Sequence, residues 1–124
     1  MRLEVAPRRL RRGEAVTVTF TARTDELAAR PYELGLACLA HYASTAKTDE
    51  VGDFGGRFRA DVQALEHEEW HRLTDAPQML ALQVPDDAPY SYEGDLLSFY
   101  WGVWVRVRER GLRPDAYVPL VVDP

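Results

Sequence analysis

The nine residues from Ala15 to Arg23, AVTVTFTAR, set Val16, Val18, Phe20 and Ala22 in strict alternation with Thr17, Thr19, Thr21 and Arg23. A period of two sorts apolar and polar side chains onto opposite faces of a strand, which a helix cannot do. The stretch therefore requires a half-buried strand and a second layer to cover its apolar face. The signal returns in DLLSFYWGVWVRVRERG near the end of the chain. There Trp101, Val103, Val105 and Val107 are expected to face the core. Tyr100, Gly102, Trp104, Arg106 and Arg108 are left as a half-apolar, half-cationic stripe on the other face.

The segments between these two are less regular. LEVAP is a short first strand stopped by Pro7, and the following RRG turns the chain. TDELAAR has room only for a loop or a single helical turn, because Pro31 follows at once. In YELGLACLAHYAST, Gly35 weakens the helical alternative, and a strand is predicted from about Leu36 to Thr45. KTDEVGDFGG is an exposed loop; its Asp53-Phe54-Gly55 spells a kinase motif, but the glycine-rich and catalytic loops that a kinase needs are absent. AYVPLVVD closes the chain as a strand in which Pro119 cannot donate a ladder bond, so an edge or bulge is expected. Six or seven strands separated by glycine and proline turns, with no internal repeat, predict an all-β antiparallel sandwich of about seven strands, immunoglobulin-like in build.

At 124 residues, 46% hydrophobic and 28% charged, the chain fits one globular domain spanning 1–124. No apolar stretch approaches the roughly 18 residues that cross a bilayer, and no apolar run follows the basic N-terminus. A cytoplasmic protein with no membrane insertion is expected. A formal net charge of -5 gives no general attraction to nucleic acid. The dense basic run RRLRR, Arg8 to Arg12, is a solvated turn on this reading, a phosphate or acidic-partner site being the competing one. The single cysteine, Cys38, lies in LGLACLA and is expected to be a buried free thiol.

One short stretch announces chemistry. His67-Glu68-Glu69-Trp70-His71 spells H-E-x-x-H, the zinc-protease signature, and a small zinc-dependent hydrolase using His67, Glu68 and His71 is the alternative function. It requires a helix, which brings residues four apart onto one face; in a strand the two histidines stand roughly 13 Å apart. A stripe of Phe58, Val62, Leu65 and Leu73 fits a helix, while Phe58, Ala60, Val62 and Ala64 alternate as in a strand, with a charged turn following at His67 to Glu69. No histidine follows His71 to act as third ligand, Glu93 sits in a turn, and His41 lies upstream in an apolar strand. No metal and no other cofactor is expected.

The phrase LQVPDDAPYSYEGDLLSFYWGVWVRVRERG, followed by YVPLVV, resembles the arrestin-like superfamily, near the bacterial sporulation-control proteins. Pro85, Pro89, Ser91, Tyr92, Gly94, Trp101, Val103, Val105, Pro119 and Val121 carry the resemblance, and RRGEAVTVTFTAR looks like the family's second strand. The resemblance implies an arrestin-like sandwich, with FRADVQAL a strand and EHEEWHRLTDAP a polar connection to the strand QMLALQVP. Arrestins join two such sandwiches, whereas this chain has length for one, standing alone or self-associating.

No nucleophile, base and orienting group recur at a recognisable spacing, and the phosphate-binding G-x-x-x-x-G-K-[ST] is missing. The expectation is a non-catalytic protein-interaction module, a scaffold or adaptor. Its partner would be another protein, or a second copy joined through an edge strand. Trp70, Trp104, Arg106 and Arg108 are the candidate contacts, since Trp and Arg dominate interface hot spots. The competing assignment is an outer sheet face on which arginines lie over Trp104.

Overall fold

In the computed structural model, residues 1–47, 57–73, 78–107 and 114–124 are described, the side chains of 43–47 and 57–62 excepted. The chain forms two packed sheets, as the alternation requires. The smaller sheet holds β1 (Arg2–Ala6), β3 (Ala15–Thr21) and β6 (Gln78–Gln83), in the order β1-β3-β6. The larger runs β2 (Arg9–Arg11), β9 (Ala116–Asp123), β8 (Leu97–Val107), β4 (Tyr32–Lys47), β5 (Arg57–Arg72), with β7 (Tyr92–Glu93) also on β8. All pairings are antiparallel except β2 with β9.

The inner faces follow the period of two. Val16, Val18 and Phe20 from β3 meet Leu34, Leu36, Trp101, Val103 and Val105 from the larger sheet, each at most 1% exposed. Burying a side chain of this size contributes about 1.5–3 kcal/mol. The Trp101 indole donates to the Pro89 carbonyl at 2.7 Å, so its one polar atom is satisfied inside the core. Cys38 is fully buried in the same cluster, as expected.

Three connections differ from the sequence expectation. The Arg8 to Arg12 run is not a solvated turn: Arg9–Arg11 pairs with β9, Leu10 enters the core, and Arg9 donates twice to the Asp123 carboxylate, at 2.8 and 3.0 Å. Gly13, at φ +86°, then turns the chain back to the smaller sheet. TDELAAR forms a six-residue helix, α1 (Thr24–Ala29), because burial of Leu27 holds it before Pro31 ends it. The strand predicted for Leu36 to Thr45 extends to Tyr32–Lys47.

The largest difference concerns β5. The charged turn and polar connection expected from His67 onward are strand as far as Arg72. Cys38 pairs with His67 and Leu39 with Leu65, leaving Glu66 as an extra, bulged residue. A bulge inserts one residue and shifts the phase of alternation. Ala64 therefore faces inward with Ala40, but beyond Glu66 it is His67, Glu69 and His71 that align with Cys38, Leu36 and Leu34. Thr74 to Pro77, the rest of the expected connection, and the Asp53-Phe54-Gly55 loop lie outside the described residues.

Pro119 stands opposite Gly102, on a part of β9 that β2 does not reach, which meets the expectation of a local edge.

Candidate interaction surface

The outer face of the larger sheet carries the residues that the sequence singled out. Opposite pairs place Trp70 beside Gly35, Gly35 beside Trp104, and Trp104 beside Tyr117, one row across β5, β4, β8 and β9. The two glycines explain how large rings fit there. A Cβ on Gly35 would overlap the Glu69 carbonyl oxygen and stand 2.5 Å from Trp70 Cε3. One on Gly102 would overlap the edge of the Tyr117 ring and stand 3.0 Å from Trp104 Nε1. The missing side chains thus let Trp70 lie across β4 and Tyr117 across β8.

The rings meet edge to face. Trp70 and Trp104 have centroids 6.1 Å apart at 63°, Trp104 and Tyr117 6.0 Å apart at 77°. These are favoured quadrupole geometries, worth about 0.5–1.5 kcal/mol each beyond area. Tyr117 also donates to the Trp101 carbonyl at 3.2 Å, and burial raises its pKa. Trp104 is only 4% exposed, so it anchors a second apolar layer instead of standing free as a contact.

Arg106 completes this layer. Its guanidinium lies 3.6 Å from the centroid of the Trp70 ring, with Glu33 at 3.9 Å and Glu68 at 4.0 Å. Glu68 also accepts a hydrogen bond from the Trp70 indole at 3.1 Å. The arginine expected over Trp104 therefore covers Trp70. The structure thus brings Trp70, Trp104 and Arg106 together as one packed cluster, in which the buried indole nitrogen of Trp104 has no hydrogen-bond acceptor among the described residues; Arg108 lies outside the described residues.

The metal alternative loses its geometry. His67 and His71 lie four apart in a strand, a separation of roughly 13 Å that one zinc cannot bridge. His71 Nε2 is 3.2 Å from Glu69, and the residue between the histidines on their own face is Glu69, not Glu68. His67 packs on Trp101 with centroids 5.4 Å apart. Glu93 is in β7, three strand spacings from β5, roughly 14 Å. Among the described residues, no three His, Cys, Asp or Glu side chains converge as metal ligands.

The exposed part of the surface lies beside this cluster. Tyr90, Tyr92, Tyr100, Tyr117 and Val121 are 38–50% exposed. Where β7 stops and β9 begins along β8, a hollow of about 480 Å³ opens between Tyr92, Glu93, Tyr100, Tyr117 and Pro119. Tyr92 and Phe99 also line a neighbouring hollow of about 250 Å³ that includes Pro89 and Tyr90. Tyr100 and Tyr117 line a third, of about 320 Å³, with Leu39, Trp104 and Pro114. The central hollow is the one that gathers Tyr92, Tyr100 and Tyr117; by the register the second opens on the inward side of the sheet, with Leu97 and Phe99, and the third on the outer side, with Tyr100 and Trp104. Sequence reasoning placed Tyr100 on the outer stripe but missed Tyr117 and Tyr92. The outward alternation of Tyr117, Pro119 and Val121 against buried Leu120 and Val122 was the available signal for the first.

The fold and this surface define the chain as an all-β sandwich whose larger sheet carries an aromatic outer layer. No protein-family model matches the sequence, and no curated protein matches it.

Proposed function

We propose that the chain is a non-catalytic interaction module, a scaffold or adaptor that holds another protein at the tyrosine-lined hollow where β7, β8 and β9 meet. The carrying observation is the hollow of about 480 Å³ at this junction, which gathers Tyr92, Tyr100 and Tyr117 from three strands. Tyrosine and tryptophan supply large, rigid contact area at low entropic cost, which is why they dominate binding surfaces. The arrestin-like resemblance belongs to this reading, as does a cytoplasmic setting, where a lone thiol such as Cys38 stays reduced. No helix among the described residues is long and apolar enough to cross a membrane.

The test is affinity capture with wild-type chain and a Tyr92→Ala/Tyr100→Ala variant side by side. A protein retained by wild type and lost by the variant supports the reading. A captured set that the variant leaves unchanged contradicts it.

A further inference from the structure

We propose that the chain pairs with a second copy of itself through the open edge of β5, the two strands running antiparallel about a two-fold axis at Trp70. This goes beyond the tyrosine-lined hollow and does not depend on it. Four observations lead there.

β5 ends the larger sheet and, among the described residues, pairs only with β4. One bond gives the direction of its free backbone groups. The Leu73 N–H donates to the Tyr32 carbonyl at 3.0 Å, so Leu73 turns its backbone toward β4. Successive residues of a strand alternate in this respect. His71 and Glu69 therefore also bond to β4, while Arg72, Trp70 and Glu68 turn their N–H and C=O groups outward. A row of such groups is a template for another strand.

The regular part of this edge is short. The bulge at Glu66 interrupts it on one side, and the strand ends at Arg72 on the other. A partner strand laid antiparallel along Glu68 to Arg72 makes about six ladder bonds.

The sequence of that stretch, Glu68-Glu69-Trp70-His71-Arg72, is its own complement. With Trp70 opposite Trp70 of the second copy, Glu68 faces Arg72 of the second copy and Glu69 faces its His71. The two-fold axis repeats both pairs. Opposite charges across a ladder stabilise it, and like charges do the reverse. Two neighbouring registers also pair the outward backbone groups, but one sets Glu69 against Glu69 and the other sets His71 against His71. Charge therefore selects a single register, and a contact of this self-complementary kind closes at two copies.

The side chains are placed to meet. Those of Glu68, Glu69 and His71 are 49%, 43% and 39% exposed, and Arg72 is exposed as well. Trp70, the one bulky residue of the stretch, leans over Gly35 of β4 and leaves the edge clear.

The test is sedimentation equilibrium of the full chain from about 5 to about 500 µM. Five paired residues make a small interface, so a reversible dimer with a dissociation constant of about 10–100 µM is expected. Glu68→Arg and Arg72→Glu each set like charges against one another at both ends of the contact. Each should weaken the dimer about tenfold or more, with thermal midpoints confirming that both variants fold. An equimolar mixture of the two single variants should dimerise as wild type does, because each supplies the charge that the other lacks. The double variant Glu68→Arg/Arg72→Glu should do so alone. Tyr92→Ala/Tyr100→Ala should leave the dimer unchanged, and a dimer lost in that variant overturns the proposal by placing the contact at the hollow. A wild-type chain still monomeric at about 500 µM overturns it too, even where the β5 edge takes a strand from another protein. So does a dimer that both charge reversals leave intact, or a mixture of the two that stays monomeric.

Discussion

Replacing Gly35 by alanine tests the packing of the outer layer most sharply. The added methyl meets the Glu69 carbonyl, and stands 2.5 Å from Cε3 and 2.9 Å from Cδ2 of Trp70. Overpacking costs about 1–3 kcal/mol, and the upper end applies because the obstacle is backbone held in the β4–β5 ladder. Displacing Trp70 also weakens its stack with Arg106, worth about 0.5–2 kcal/mol, and its edge contact with Trp104. Relief of the glycine entropy penalty returns about 0.5–1 kcal/mol. The net expectation is a loss of about 3 kcal/mol, or roughly 12 °C in thermal midpoint for a chain of this size. Urea titration followed by tryptophan fluorescence measures it. In a Trp70→Ala background about 2 kcal/mol should persist, since the carbonyl remains. Gly102→Ala differs: its obstacle is the far end of a half-exposed tyrosine, so it should cost about 1–2 kcal/mol and be mostly rescued by Tyr117→Ala. A Gly35→Ala variant within about 0.5 kcal/mol of wild type would refute the packing argument.

Three further outcomes are expected. Burial, with the Glu66 charge adding, pushes the Cys38 thiol up to about 12, so a disulfide reagent at pH 8 should label it only after unfolding; rapid native labelling would contradict this. The hydrogen bond from Arg9 holds the Asp123 carboxyl below its usual range. A lowered folded pKa contributes stability above the unfolded value, about 3.9, and loses it as pH falls through the folded value. Asp123→Asn should therefore lower the urea midpoint at pH 7 and not at pH 2, and an unchanged difference would count against the ion pair. Purified protein should carry no stoichiometric zinc, and His67→Ala/His71→Ala should leave its metal content the same; one equivalent lost in the double variant would restore the metal site.

The strands that the sequence revealed were those whose period of two runs unbroken. In β3 and β8 alternation alone assigned both faces, and Trp101, Val103, Val105 and Val107 are all buried as it required. Alternation failed in β5 for a physical reason: the bulge at Glu66 shifts its phase, so Glu69 and His71 follow Ala64 on the inward side and the strand resembles a charged turn. The same shift set Trp70 on the outer face, where Gly35 makes room. Trp70, Trp104 and Arg106 were legible as a group by residue type, but not their packing on one another, which depends on pairing β5 with β4 and β4 with β8. The tyrosine-lined hollow was harder still, since Tyr92 and Tyr117 come from separate strands that meet only along β8.

Site-specific photo-crosslinking in cells tests the central claim most directly, with the photoreactive residue at Tyr100 or, as control, at Met79, which is 71% exposed on the opposite sheet. The account predicts a discrete cross-linked protein from position 100 that is lost with Tyr92→Ala, and none of that product from position 79. The same products from both positions, or none from position 100, would contradict it.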